Sequence, residues 1–196
     1  MDISLTRISK KYGNKIVFDG FACDFSHGKA YCLFGPSGSG KTTLLRLLAG
    51  LEKCDSGEIT GLEGKKISAV FQEDRLIENI SAEKNIMLTA AAGFTRADAQ
   101  TLLARLGITD AKKTVSGFSG GMKRRCAVAR ALAADYDMLL LDEPLAGLDE
   151  AARRMVMQVI SEENKGRLLI CATHFPEFAA FFSADAIEIP LIQSEG

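Results

Sequence analysis

Gly35-Pro36-Ser37-Gly38-Ser39-Gly40-Lys41-Thr42-Thr43 decides the fold of this chain. The stretch fits G-x-x-x-x-G-K-[ST], the loop that wraps the phosphates of a nucleoside triphosphate. Ala30-Tyr31-Cys32-Leu33-Phe34 before it reads as a short buried strand, and Leu44-Leu45-Arg46-Leu47-Leu48-Ala49 after it as a helix stopped by Gly50. Strand, glycine loop and helix is the context in which the motif carries meaning. Gly35, Gly38 and Gly40 let the backbone turn its N–H groups inward, because glycine takes positive φ without a Cβ clash. Those donors form a nest for anionic oxygens, and the helix adds its positive N-terminal end. Lys41 supplies a full charge to the β- and γ-phosphates, and the Thr42 hydroxyl is placed to ligate Mg²⁺.

Outward from the loop, short apolar runs recur. Ile67-Ser68-Ala69-Val70-Phe71, Met138-Leu139-Leu140-Leu141 and Leu168-Leu169-Ile170-Cys171-Ala172 are nearly continuous, as in parallel strands covered on both faces. Each ends in polar residues: Gln72, Asp142-Glu143 and Thr173-His174. In open α/β sheets ligands lie beyond the carboxyl ends of the strands, so these tips are expected to converge on the phosphate site. Residues 2–8 alternate as a half-buried strand, Gly13-Asn14 signals a turn, and Lys15 to Phe25 resumes strand character; together they predict a small N-terminal antiparallel sheet. From about 73 to 131 helical patterns take over, with Ala97 to Leu106 the clearest, ended by Gly107. The expectation is α/β: one domain over 1–196, a mostly parallel sheet, the antiparallel piece, and an inserted helical subdomain.

Composition sets limits. The 196 residues are 47% hydrophobic and 25% charged, with net charge −1, which gives no general attraction to nucleic acid or to an acidic membrane surface. Cysteines 23, 32, 54, 126 and 171 are odd in number and form no C-x-x-C pair, so reduced thiols in the cytosol are expected. The N-terminus does not read as a secretory signal, and no run approaches the roughly 18 apolar residues that span a bilayer. A soluble chain is expected, one that works at a membrane only by docking on another chain.

Two further motifs carry chemistry. Asp142, at the tip of Met138–Leu141, is placed to hold Mg²⁺, and Glu143 to polarise the water that attacks the γ-phosphorus. Without the phosphate loop the two acids would read equally well as solvated turn residues. Ser119-Gly120-Gly121-Met122-Lys123 opens a helix running from Arg124 to Ala134, with Ser119 suited to its N-cap. Its bare N–H groups make a second anion site, although taken alone the stretch is an ordinary capped helix.

With these residues in order, the chain resembles the ATPase subunits of ATP-binding cassette (ABC) transporters over essentially its whole length. Phe118-Ser119-Gly120-Gly121-Met122 is similar to the family signature, Gln72 to its glutamine at the junction with the helical subdomain, and Ala146-Gly147-Leu148-Asp149 to the loop that crosses to a partner subunit. Tyr12 matches the adenine-stacking aromatic, with a tyrosine filling the hairpin core as the alternative, and His174 the switch histidine. The resemblance implies a P-loop NTPase core that binds ATP and Mg²⁺ and hydrolyses ATP. Two such subunits, a homodimer or a pair of related chains, would close head to tail around two ATP molecules. Each ATP would lie between Lys41 of one chain and Ser119, Gly120, Gly121 and Asp149 of the other. His174 would contact the γ-phosphate, and Gln72 the Mg²⁺ or the attacking water. An integral membrane permease and a solute-binding protein are the implied partners, at the cytoplasmic face of the cell membrane, with no role for nucleic acid.

Within the family, Val70-Phe71-Gln72-Glu73-Asp74-Arg75-Leu76 and Gly120-Gly121-Met122-Lys123-Arg124-Arg125 look most like importers of nitrate, sulfonate and taurine. Ile77-Glu78-Asn79-Ile80 lacks the Pro-Trp usual in those importers, and Leu145-Ala146-Gly147 departs from the usual Phe-Gly-Ala. The chain is also short, with no C-terminal regulatory domain expected. Two other classes share the loop: a small-molecule kinase, which would need an acceptor site, and a soluble cassette clamp uncoupled from transport. The cluster Lys123-Arg124-Arg125 is expected to be a solvated helix face, and Phe175, Phe178, Phe181 and Phe182 core packing.

Overall fold

A computed structural model describes residues 2–192. Three strands, β1 (Ile3–Tyr12), β2 (Lys15–Phe25) and β4 (Ser56–Thr60), form an antiparallel sheet in the order β2-β1-β4. Five more, β3 (Ala30–Phe34), β5 (Ile67–Val70), β6 (Met138–Asp142), β7 (Leu168–Ala172) and β8 (Asp185–Glu188), form a parallel sheet in the order β5-β6-β7-β3-β8.

The continuous apolar runs have a simple origin. Along β6, Met138 and Leu140 point to one side, where α1 (Lys41–Leu48) and the antiparallel sheet supply Leu44, Leu48, Ile3 and Phe25. Leu139 and Leu141 point to the other, against α4 (Gly120–Ala133), α5 (Glu150–Asn164) and α6 (Pro176–Phe182). Both faces are dry, so the run is apolar up to Asp142 at the strand's tip. Between β5 and β6 lie α2 (Ala82–Met87), α3 (Arg96–Arg105) and α4, the first two held off the sheet and packed on α4. Asn85, fully buried, ties the preceding loop to α2: its Oδ1 accepts from Ile77 N at 2.8 Å and its Nδ2 donates to the carbonyls of Ile77 and Ser81. Among the described residues no helix is long and apolar enough to cross a membrane.

The alternation expected over residues 2–8 breaks midway. Ile3, Leu5 and Ile8 are the buried residues, and the change of phase falls at Arg7, which takes φ 49° in a register shift of the β1–β2 ladder. Gly57 on β4 faces this bulge at φ 91°; a Cβ there would stand 2.3 Å from the Arg7 carbonyl oxygen. Gly57→Ala is therefore expected to destabilise the chain by about 1–3 kcal/mol, read as a lower urea midpoint at unchanged denaturant slope.

The phenylalanine cluster is only partly core. Phe178 is fully buried and packs on Phe182, whereas Phe181 is 43% exposed, because seven-residue α6 covers the sheet with one face only.

Candidate functional site

The tips of β3, β5, β6 and β7 open onto a cavity of about 480 Å³ lined by polar residues of the phosphate loop and of the strand ends. Tyr12, Gly35, Ser37, Gly38, Gly40, Lys41, Thr42, Thr43, Gln72, Asp142, Glu143 and His174 all line it. Pro36 and Ser39 shape the loop from behind: the Pro36 carbonyl accepts from Ser39 N at 3.2 Å, and Ser39 is buried. Lys15 and Val17 on β2 also line the cavity. Sequence reasoning missed both, since a lysine and a valine on a hairpin strand carry no motif.

Gly40 adopts φ 107° as the residue that opens α1, and a Cβ there would meet Val17 at 2.5 Å and Phe18 at 2.9 Å. No side chain caps α1, so its first N–H groups are left for an anion. Lys41 Nζ donates to the carbonyls of Gly35 at 2.7 Å and Pro36 at 3.1 Å, which holds its charge across the loop. Thr42 Oγ1 donates to Asp142 Oδ2 at 2.7 Å. Asp142 is 1% exposed, and burial pushes its pKa up, with the Thr42 hydrogen bond opposing and the Glu143 charge adding to the rise. The Thr42 hydroxyl, the buried Asp142 carboxylate and Gln72, all lining the cavity, form an oxygen-rich set suited to a hard divalent cation, and a cation there would offset the cost of burying Asp142.

Glu143 leaves β6 at φ 51°, with its N–H donating to the Ala172 carbonyl at 2.8 Å. This turn aims its carboxylate across the cavity, where Oε2 lies 2.9 Å from His174 Nδ1. The imidazole stays 65% exposed and packs 4.0 Å from the Phe175 ring, over which the Arg153 guanidinium sits at 4.6 Å. Tyr12 stands at the rim, 44% exposed, its hydroxyl donating to Glu52. Its ring is presented to the cavity rather than to the hairpin core.

Ser119, Gly120, Gly121 and Asp149 are absent from the cavity lining. Ser119 Oγ accepts from Met122 N at 3.3 Å and so caps α4, and Asp149 Oδ1 accepts from Ala152 N at 2.8 Å and caps α5. The expectation of a solvated basic face on α4 is wrong. Arg124 is 8% exposed, and its guanidinium donates to the Phe71 and Gln72 carbonyls; Arg125 Nη1 donates to the Leu106 carbonyl at 2.7 Å, and Lys123 pairs with Glu78. Carbonyls that end neighbouring elements need donors, and composition alone does not reveal them.

A phosphate loop at the tip of β3, with acids at the tip of β6 on the far side of β7, defines a nucleotide-binding α/β cassette. The profile of the ABC transporter family matches residues 18–146. The chain is 38% identical over 162 residues to aliphatic sulfonates import ATP-binding protein SsuB 3 of Rhodococcus jostii, covering 82% of this chain and 60% of that protein. It is 35% identical over 195 residues to Nod factor export ATP-binding protein I of Paraburkholderia xenovorans, covering 90% of this chain and 64% of that one. The dimeric post-hydrolysis structure of the ATP-binding cassette MJ0796 bound to ADP and Pi superposes with a TM-score of 0.84 at 26% identity, over 98% of this chain and 97% of that one. The chain belongs to the ABC transporter family; it spans about 60% of the length of the first of these relatives.

The raised pKa of Asp142 has a consequence for stability. As pH climbs through the ordinary carboxylate value the unfolded chain ionises first, so the folded state loses stability until its own raised pKa is passed. Asp142→Asn removes that loss. The variant is expected to melt higher than the parent at neutral pH without nucleotide, by about 2–4 °C for each kcal/mol recovered. The gain should vanish below about pH 4, as thermal melts across pH will test.

Proposed function

We propose that this chain is the ATP-hydrolysing subunit of a membrane transport system, and that two chains close head to tail to complete two ATP sites. The observation that carries the reading is a separation. One cavity gathers the phosphate loop, Asp142, Glu143 and His174, while Ser119-Gly120-Gly121, a second set of bare N–H groups, lies outside it. A second chain would bring that set to the γ-phosphate, and the dimeric arrangement of the MJ0796 cassette supports this.

In the paired state Gly35 to Thr43 wrap the phosphates, with Lys41 exchanging its two carbonyl partners for phosphate oxygens. Tyr12 stacks on adenine, a contact of roughly 1–3 kcal/mol by analogy with base–aromatic stacking. Thr42, Asp142 and Gln72 would hold Mg²⁺, which when bound neutralises charge on the β- and γ-phosphates. Glu143 orients and polarises the attacking water. His174, already bonded to Glu143 at 2.9 Å, holds that carboxylate in place and reaches the γ-phosphate from its exposed side. Asp149 of the partner subunit completes the far wall.

The solute is small and the direction import, supported by the SsuB relatives; the Nod factor export relative favours export as a second reading. The chain works at the cytoplasmic face of the membrane, docked on an integral permease, and an importer would add a solute-binding protein. Co-purification with a permease and a solute-binding protein from native membranes supports import. A permease without a binding protein supports export, and neither partner supports a soluble clamp.

Glu143→Gln is expected to lower turnover by about 10²- to 10⁴-fold while keeping ATP, so that it elutes as a dimer with ATP on gel filtration. A monomer at saturating nucleotide would contradict the pairing. Lys41→Ala should weaken ATP binding by about 1.5–3 kcal/mol, measured by fluorescent nucleotide titration; unchanged affinity would mean that the loop does not hold phosphate.

A further inference from the structure

The backbone that leaves β5 is gripped by two arginines of α4. Arg124 Nη1 donates to the Phe71 carbonyl at 2.7 Å, and Nη2 to the Gln72 carbonyl at 2.5 Å. Nη1 also lies 3.2 Å from Asp74 Oδ1. Six residues further along α4, Arg130 Nη1 donates to the Arg75 carbonyl at 2.7 Å and Nη2 to the Asp74 carbonyl at 2.9 Å. Four carbonyls between Phe71 and Arg75 are thus held from one helix. Gln72 lines the cavity, and its carbonyl is bonded to Arg124. Arg124 stands one turn from Gly120 and Gly121 at the start of that helix. A guanidinium fork fixes direction as well as distance, which a single ammonium does not.

We infer that Arg124 is a positioning residue that fixes the Gln72 backbone to the N-terminus of α4, so that a nucleotide engaging the Gln72 side chain sets where Ser119-Gly120-Gly121 stands. The inference rests on the proposed pairing of two chains. It assigns the joint between the two anion sites to a single side chain, one that composition places on the surface and the fold places inside. Arg124 is not among the residues that line the cavity. Its loss leaves the phosphate loop intact and loosens the presentation of α4 to the other chain. Binding to one chain and pairing of two chains should therefore separate.

The test uses the Glu143→Gln chain as parent, with Arg124→Met and Arg124→Lys added singly and folding checked by circular dichroism and thermal melts. Affinity of the dilute monomer for a fluorescent ATP analogue is expected to stay within about twofold of the parent in both variants. The ATP concentration that half-converts monomer to dimer, followed by light scattering, is expected to rise about tenfold in both, because lysine keeps the charge and loses the fork. A dimerisation midpoint equal to the parent's in R124M overturns the inference. So does full recovery in R124K, which would assign the effect to the Asp74 ion pair alone. Should R124M fail to fold, R124K decides by itself, since it retains the aliphatic stem and the charge. If the parent itself does not pair with ATP, the proposed function fails together with the inference, and that failure is seen without any Arg124 variant.

Discussion

The structure depends on gathering enough positive potential at one edge of a sheet to hold a polyanion. Backbone N–H groups of the glycine loop, the uncapped start of α1 and the Lys41 ammonium supply it. None of these would converge without parallel strands, whose carboxyl ends all face the same way. Parallel strands in turn require cover on both faces. The antiparallel sheet with α1 provides one cover, and α4, α5 and α6 the other. The pocket is a consequence of the layering.

A second constraint comes from charge of the opposite sign. Asp142 is buried at a strand tip beside Glu143, at a cost the raised pKa of Asp142 records. Thr42 offsets part of it with one hydrogen bond. A folded state that bears this cost without nucleotide gains most when a cation arrives, so binding and stability are linked through the same carboxylate. Glu143 carries a different burden. Its left-handed backbone costs on the order of 1–2 kcal/mol, and in return its carboxylate meets His174 across the cavity.

What could be read from the sequence follows the same physics. Strands buried on both faces write themselves as Met138–Leu141 and Leu168–Ala172, and the phosphate loop announces its own conformation through Gly35, Gly38 and Gly40. The edge strands β4 and β8 do not. Ser56–Thr60 holds one half-buried isoleucine and Asp185–Glu188 another, too little apolar surface to register as strands. The Arg7 bulge was hidden because positive φ at an arginine has no composition signal. Lys123-Arg124-Arg125 was misread for a related reason. Charge was visible, but the carbonyls of Phe71, Gln72 and Leu106 that draw two of these side chains inward belong to distant segments. Ser119-Gly120-Gly121 reads by itself as no more than a capped helix start, and in the fold it lies outside the cavity lining.

In the proposed pairing, the cavity of one chain and Ser119-Gly120-Gly121 of the other make one ATP site, and Ser119-Gly120-Gly121 lies outside its own chain's cavity lining. The most direct measurement is the rate of phosphate release per chain, at saturating Mg²⁺ and ATP, across a dilution series of the protein. Activity per chain should fall on dilution, with the total rate approaching the square of concentration once monomers dominate. A per-chain rate that stays constant at dilutions far below any pairing would contradict the account.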